Sequence, residues 1–329
     1  MSLFNPTLLF SLLLIFLNEW TFALSDTLLP ARNARRSFLA TAAASAVTVI
    51  IPPHSAHAEE IALTEVQAVA TGDAKKLFNE ARALESQGNM AAAQRLYTKV
   101  TKISPRFIYG WSNLANTQTA LGDLRSADQA YSIAIDLCNE NLQTTEEGFG
   151  IKRCNDLYVL LLNRGSLRLN DGRPKEALAD LQQSDLLRGR PDSTVLQNLA
   201  RAKELNGLYK QADNDYTVAI SMTANEVNPF WLRSSLVKFQ LGDIQGGYDL
   251  MKRVENRFPE APEVRAAYAC FLAARGDQVA GQRKYLEIPD RARLKYVDQN
   301  YLTRTISWPP AARDTLAKIT MASGDGSPK

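Results

Sequence analysis

Few of the side chains that usually carry chemistry occur in this chain, and their positions restrict what they could do. Both histidines, His54 and His57, fall within the first 58 residues. Beyond them there is no imidazole to serve as general base, metal ligand or middle member of a nucleophilic triad. The three cysteines stand at Cys138, Cys154 and Cys270, without the Cys-x-x-Cys spacing of a zinc or dithiol redox site. No GxGxxG or phosphate-loop sequence occurs. The acidic pair Glu146-Glu147 reads as solvated. The sequence therefore predicts a non-enzyme with no catalytic residue, cofactor or metal, the alternative being an enzyme with an unrecognised acidic site. Composition points the same way: 45% hydrophobic and 22% charged is globular, and a net charge of +3 without a Lys/Arg block leaves no nucleic-acid footprint.

What remains is a scaffold, and its elements are legible from one glycine register. Gly88, Gly122, Gly172, Gly207, Gly242 and Gly276 follow one another at 34, 50, 35, 35 and 34 residues. Seven positions before them stand Ala81, Ala115, Gly165, Ala200, Ser235 and Ala269. Five positions after them stand Ala93, Ala127, Ala177, Ala212, Gly247 and Gly281. Nine positions after, four copies have tyrosine (Tyr97, Tyr131, Tyr216, Tyr285), with Leu181 and Met251 in the others. The pattern predicts six helical hairpins. Paired small residues let two antiparallel helices approach closely, and the glycine ends the first helix in the left-handed conformation. The Tyr or Leu fills the gap to the next hairpin. Pro105 and Pro259 each end a second helix. No hairpin buries its apolar side alone, so stability must come from stacking.

By these residues the chain resembles the tetratricopeptide-repeat family. The sharpest copy is the second, with Trp111, Leu114, Ala115, Gly122, Ala127, Tyr131 and Ala134, and Trp231 marks the fifth in the same way. The resemblance covers about residues 74–289. Copy three lacks the tyrosine, and copy six has Arg265 where an aromatic or Leu is usual. It implies an all-α, right-handed α-solenoid of about six hairpins, and a protein-binding scaffold. In this family the first helices line a concave face. One row there holds Asn79, Asn113, Asn163, Asn198, Arg233 and Ala267, and another Arg82, Asn116, Ser166, Arg201, Leu236 and Cys270. By resemblance, Asn79, Arg82, Asn113, Asn116, Asn163, Asn198, Arg201 and Arg233 are the candidate peptide-binding residues, the amides holding a peptide backbone. The competing reading is that Asn is merely the family's preferred residue at that position. Relatives that grip the carboxyl terminus of heat-shock chaperones need Lys and Arg at set rows. Here Phe78, Arg82, Asn113, Val159 and Asn163 stand in those rows, so no such clamp is expected.

The flanks read as an address and a cap. Residues 8–17 form an apolar run of ten, long enough for a signal-peptide core and too short to span a bilayer comfortably. A second signal follows: Arg35-Arg36-Ser37-Phe38-Leu39-Ala40, an Ala-rich stretch to Ile51, and Ala56-His57-Ala58 before Glu59. It resembles a twin-arginine signal, and the tandem resembles presequences of secondary plastids. That implies an ER signal over about 1–25, a lumen signal over about 32–58, cleavage read at Ala56 and Ala58, and residence in the thylakoid lumen. The alternative is a secreted or membrane-anchored protein serving the secretory route. Residues 59–73 form a lead. An insertion of about 139–155 follows copy two, bracketed by Cys138 and Cys154, which either bridge or stand apart as two small half-buried residues. Cys270 is expected to be free and inert. After Pro289, residues 290–322 form a cap. Trp308-Pro309-Pro310 and one more helix resemble the ending of lumenal and cyanobacterial members, with Trp308 expected over the end of the stack. Residues 323–329 read as a disordered tail. The expected partner is a protein or peptide, such as a photosynthetic-complex subunit, with membrane association peripheral at most.

Overall fold

The computed structural model describes residues 70–146 and 154–325. The presequence with Ala56 and Ala58, the lead up to residue 69, residues 147–153 and the last four residues lie outside them. Among the described residues the regular elements are helical. They form two compact units, one up to Asn155 and one from Asp156. The first unit holds copies one and two: α1 (Gly72–Ser86) with α2 (Met90–Ile103), and α3 (Ile108–Ala120) with α4 (Leu124–Glu146).

The second unit holds copies three to six. These are α5 (Leu157–Asn170) with α6 (Pro174–Arg188), and α7 (Ser193–Leu205) with α8 (Tyr209–Met222). Next come α9 (Phe230–Gln240) with α10 (Ile244–Arg257), and α11 (Pro262–Ala274) with a shortened α12 (Gln278–Leu286). A short α13 (Asp290–Arg293) and a π-type turn at Tyr301–Thr305 lead to α14 (Pro310–Ala322). Within each unit a helix packs chiefly on its pair partner and then on the following pair.

The register works through the backbone. All six marker glycines have positive φ, between 71° and 97°, where a residue with a Cβ is strained. In copy two, the Gly122 amide bonds the Thr119 carbonyl and the Asp123 amide the Gln118 carbonyl, which closes the helix end. The residue after the glycine then starts the next helix. Asn89, Asp123, Asp243 and Asp277 each accept a backbone N–H three residues on. Paired small positions are buried, and their size is obligatory: a Cβ at Gly247 would stand 2.7 Å from Phe271 and 3.0 Å from the Ser235 carbonyl.

Copy six departs from the family pattern at Arg265, and the structure shows why that is tolerated. In copy two the Trp111 indole donates to the Pro105 carbonyl, six residues back, at 2.7 Å. Arg265 stands in the same register, and its Nε donates to the Pro259 carbonyl at 2.8 Å. A second guanidinium nitrogen reaches the Glu287 carbonyl and a third pairs with Glu260. Both side chains supply the same donor to the same proline carbonyl.

The insertion is not a loop throughout. Its first eight residues, 139–146, continue α4 as helix. Between Cys138 and Glu146 there is neither Gly nor Pro to stop it. Asn141 is buried there, and Glu140 pairs with Arg106. Cys138 and Cys154 form a disulfide with Cα atoms 5.5 Å apart, both buried. At the other end, Ser323 and Asp325 of the expected disordered tail are placed by hydrogen bonds, the Asp325 carboxylate accepting from Arg293 at 2.7 Å.

Candidate binding face

Two polar pairings build the interior behind the first-helix faces. The Tyr97 hydroxyl donates to Glu85 at 2.7 Å, and Tyr216 donates to Glu204 at 3.0 Å, each across one hairpin. The glutamate lies three positions before the marker glycine and the tyrosine nine after. In copies three and five the tyrosine is replaced by Leu181 or Met251, and the facing residue is apolar too, Leu169 or Phe239. Copies three and five thus lack both members of the polar pair, while Tyr131 and Tyr285 stand opposite Thr119 and Ala273. Sequence reasoning found the tyrosines and missed their acidic partners, although the repeat register would have exposed them. Burial raises the Glu85 carboxyl above its ordinary pKa, while the Tyr97 hydrogen bond and Arg82 pull it back.

In the first unit, the candidate residues of α1, Asn79 and Arg82, are exposed. On α3 the amide nitrogen of Asn113 is committed to the Tyr109 carbonyl of its own helix, at 2.7 Å. Asn116 is buried, its amide oxygen accepting from Tyr131. So the first unit opens one copy's pair of side chains and uses the other copy's amides internally.

In the second unit, Asn163 and Asn198 are buried. Asn198 donates to the Thr194 carbonyl at 2.8 Å and accepts from Ser166 at 3.0 Å. Arg201 on α7 and Arg233 on α9 converge on one target, the Ile306 carbonyl of the segment before α14. Arg201 also pairs with Glu204 at 2.8 Å, and Arg233 with Glu263 at 3.6 Å. Glu263 in turn accepts the Trp308 indole N–H at 2.9 Å. One polar chain thus runs from Tyr216 through Glu204 and Arg201 to the carbonyl, and from there through Arg233 and Glu263 to the indole.

The C-terminal segment therefore does more than close the end of the stack. It lies on the first helices: α14 packs on α9, α11 and α12, and Gln240 of α9 accepts the Ala311 amide at 2.9 Å. Trp308 is buried against Tyr296 and copy six's first helix rather than simply over the last apolar end. Cys270, buried and unpaired, lies under α14 with its sulfur 3.6 Å from the Ala312 carbonyl. Burial raises its thiol pKa well above the ordinary range. The signal for this cover was in the sequence: both candidate rows become apolar at Leu236, Ala267 and Cys270, which are fully buried. No group of three His, Cys, Asp or Glu side chains positioned to hold a metal occurs among the described residues.

Residues 75–107 match the tetratricopeptide repeat family. No curated protein matches the sequence. A tetratricopeptide repeat protein from Parabacteroides merdae superposes with a TM-score of 0.53 at 16% identity, covering 77% of this chain and 88% of that one. The Cut9–Hcn1 hetero-tetramer of the APC/C gives 0.50 at 16% identity, with 75% of this chain and 42% of that one covered. YrrB, described as a TPR protein with an unusual peptide-binding site, gives 0.47 at 14% identity over 60% of this chain and 95% of that one. The matched repeat, the six-copy register and the shared fold together support a tetratricopeptide-repeat protein of the α-solenoid type.

Proposed function

We propose that this protein is a non-catalytic scaffold of the thylakoid lumen, where it holds another lumenal protein or a photosynthetic subunit during assembly. The observation that carries the scaffold reading is the six-copy hairpin fold, which presents rows of side chains from successive first helices. Asn79 and Arg82 on α1 are the exposed members of the candidate rows and would meet the partner first. The lumen is supported by the tandem signals ending at Ala58 and by the buried Cys138–Cys154 disulfide, which suits an oxidising compartment. The disulfide suits the secretory route equally, so the address decides. A fluorescent reporter carrying residues 1–58 is expected in the plastid; its secretion from the cell would remove the lumen. Proximity labelling by the unaltered chain is expected to mark lumenal or photosynthetic proteins, and substituting Asn79 and Arg82 is expected to weaken that labelling. Labelling confined to proteins of another compartment would refute the assembly role.

A further inference from the structure

The chain carries its own ligand for one stretch of its first-helix face. We infer that residues 301–309 act as a displaceable strap over copies four to six, occupying a site that otherwise takes a segment of a partner with the same backbone and indole groups. The chemistry of that site can be read from its occupant. Arg201 and Arg233 approach one main-chain carbonyl, Ile306, from two different copies. Glu263 takes the indole N–H of Trp308, and Gln240 takes the Ala311 amide beyond the proline pair. A segment offering a free carbonyl and then an indole two residues later is what these groups select. Because guanidinium donors to a main-chain oxygen read backbone and not side chain, only the indole pocket gives sequence preference.

Three features mark the strap as the part that lifts, in contrast to α14. First, Thr303, Arg304 and Thr305 are exposed, so the segment is anchored at Leu302 and at Trp308 with little packed between. Second, Tyr301–Thr305 is a π-type turn, a form rare in helices and common where function demands an irregular backbone. Third, Ser307, between the clasped carbonyl and the buried indole, has φ +49°, a left-handed conformation that strains a residue with a Cβ. Both anchors are satisfied together only through that strained residue. By contrast α14 buries Ala312, Leu316 and Ile319 along one side, as a fixed cap does.

This inference rests on the scaffold reading, and its test is separate from it. In one variant of the full chain, residues 301–308 are replaced by glycine and serine, leaving α14 in place. A capped fluorescent peptide copying residues 299–310 is expected to bind that variant at least about tenfold more tightly than the unaltered chain, since a vacated site no longer competes. Adding R201Q and R233Q is expected to reverse the gain. A folded variant that binds the peptide no better than the unaltered chain would overturn the strap. The replacement loses two buried apolar side chains, so hydrogen exchange on the unaltered chain gives a second test. The Ile306 and Trp308 amides are expected to exchange at least about tenfold faster than those of α9 and α11, by local opening. Exchange of both sets only together would show a fixed cap and end the proposal. Partner capture by the unaltered chain does not depend on either result, so these failures would leave the scaffold standing.

Discussion

The first-helix faces of the two units use the same register positions for opposite ends. In the first unit, Asn79 and Arg82 are exposed on α1. In the second, Arg201 and Arg233 are half-buried and hold a carbonyl of their own chain. Residue type does not separate the two: an arginine stands at the candidate rows in both. What marks the second pair, among the described residues, is that a segment of the same unit lies on it. A polar side chain on a solenoid face is thus a docking group only after the chain's own claims on it have been counted.

That contrast can be broken most strongly from the covered side. Trp308→Ala removes a buried indole and the partner of Glu263, and is expected to cost about 3–5 kcal/mol. Denaturant unfolding checks it, and a loss under about 1 kcal/mol would mean the segment scarcely contributes to the second unit. In the first unit the bond to break is the disulfide. Cys138→Ser with Cys154→Ser is expected to cost about 3 kcal/mol, the loop-closure value for a loop of about fifteen residues. Thermal unfolding of both forms measures it, and equal midpoints would show that the bridge is redundant with the helical extension of α4.

Two smaller changes sharpen the comparison. Ser307→Gly relieves the left-handed backbone strain but frees the unfolded chain, so a net stabilisation of up to about 1 kcal/mol is expected. A clear destabilisation would mean that the serine side chain, not the backbone, holds the strap. Glu85→Gln tests the interior of the first unit. The folded-state pKa of Glu85 is raised, so its contribution is fully present below the unfolded pKa and is lost as pH rises through the folded one. Stability of the parent should therefore fall as pH rises from about 4 towards neutrality. The variant should show a shallower fall, and an unchanged profile would assign the pH dependence to other groups.

The fold was legible because its markers are local. A glycine forced to positive φ, an Asn or Asp cap next to it and two small residues facing across a hairpin each act within one repeat, so their spacing survives in the sequence. The state of the candidate rows was not, because it depends on contacts of much greater span. Arg201 meets a carbonyl 105 residues away, and nothing near Arg201 announces it. Asn113 and Asn198 bond carbonyls four residues back on their own helices, which the type and position of an asparagine alone do not reveal. Arg265 misled for the opposite reason. It breaks the family's residue preference while keeping the hydrogen bond that the preference serves.

Cys270 gives the molecule a built-in timer. With Cys138 and Cys154 joined, it is the one sulfhydryl left in the chain, shielded by the first turn of α14. An alkylating reagent added to unaltered protein can reach it only when that helix swings away. The speed of a single mass increment therefore reports how often the terminal cover departs, with no label or engineered residue needed.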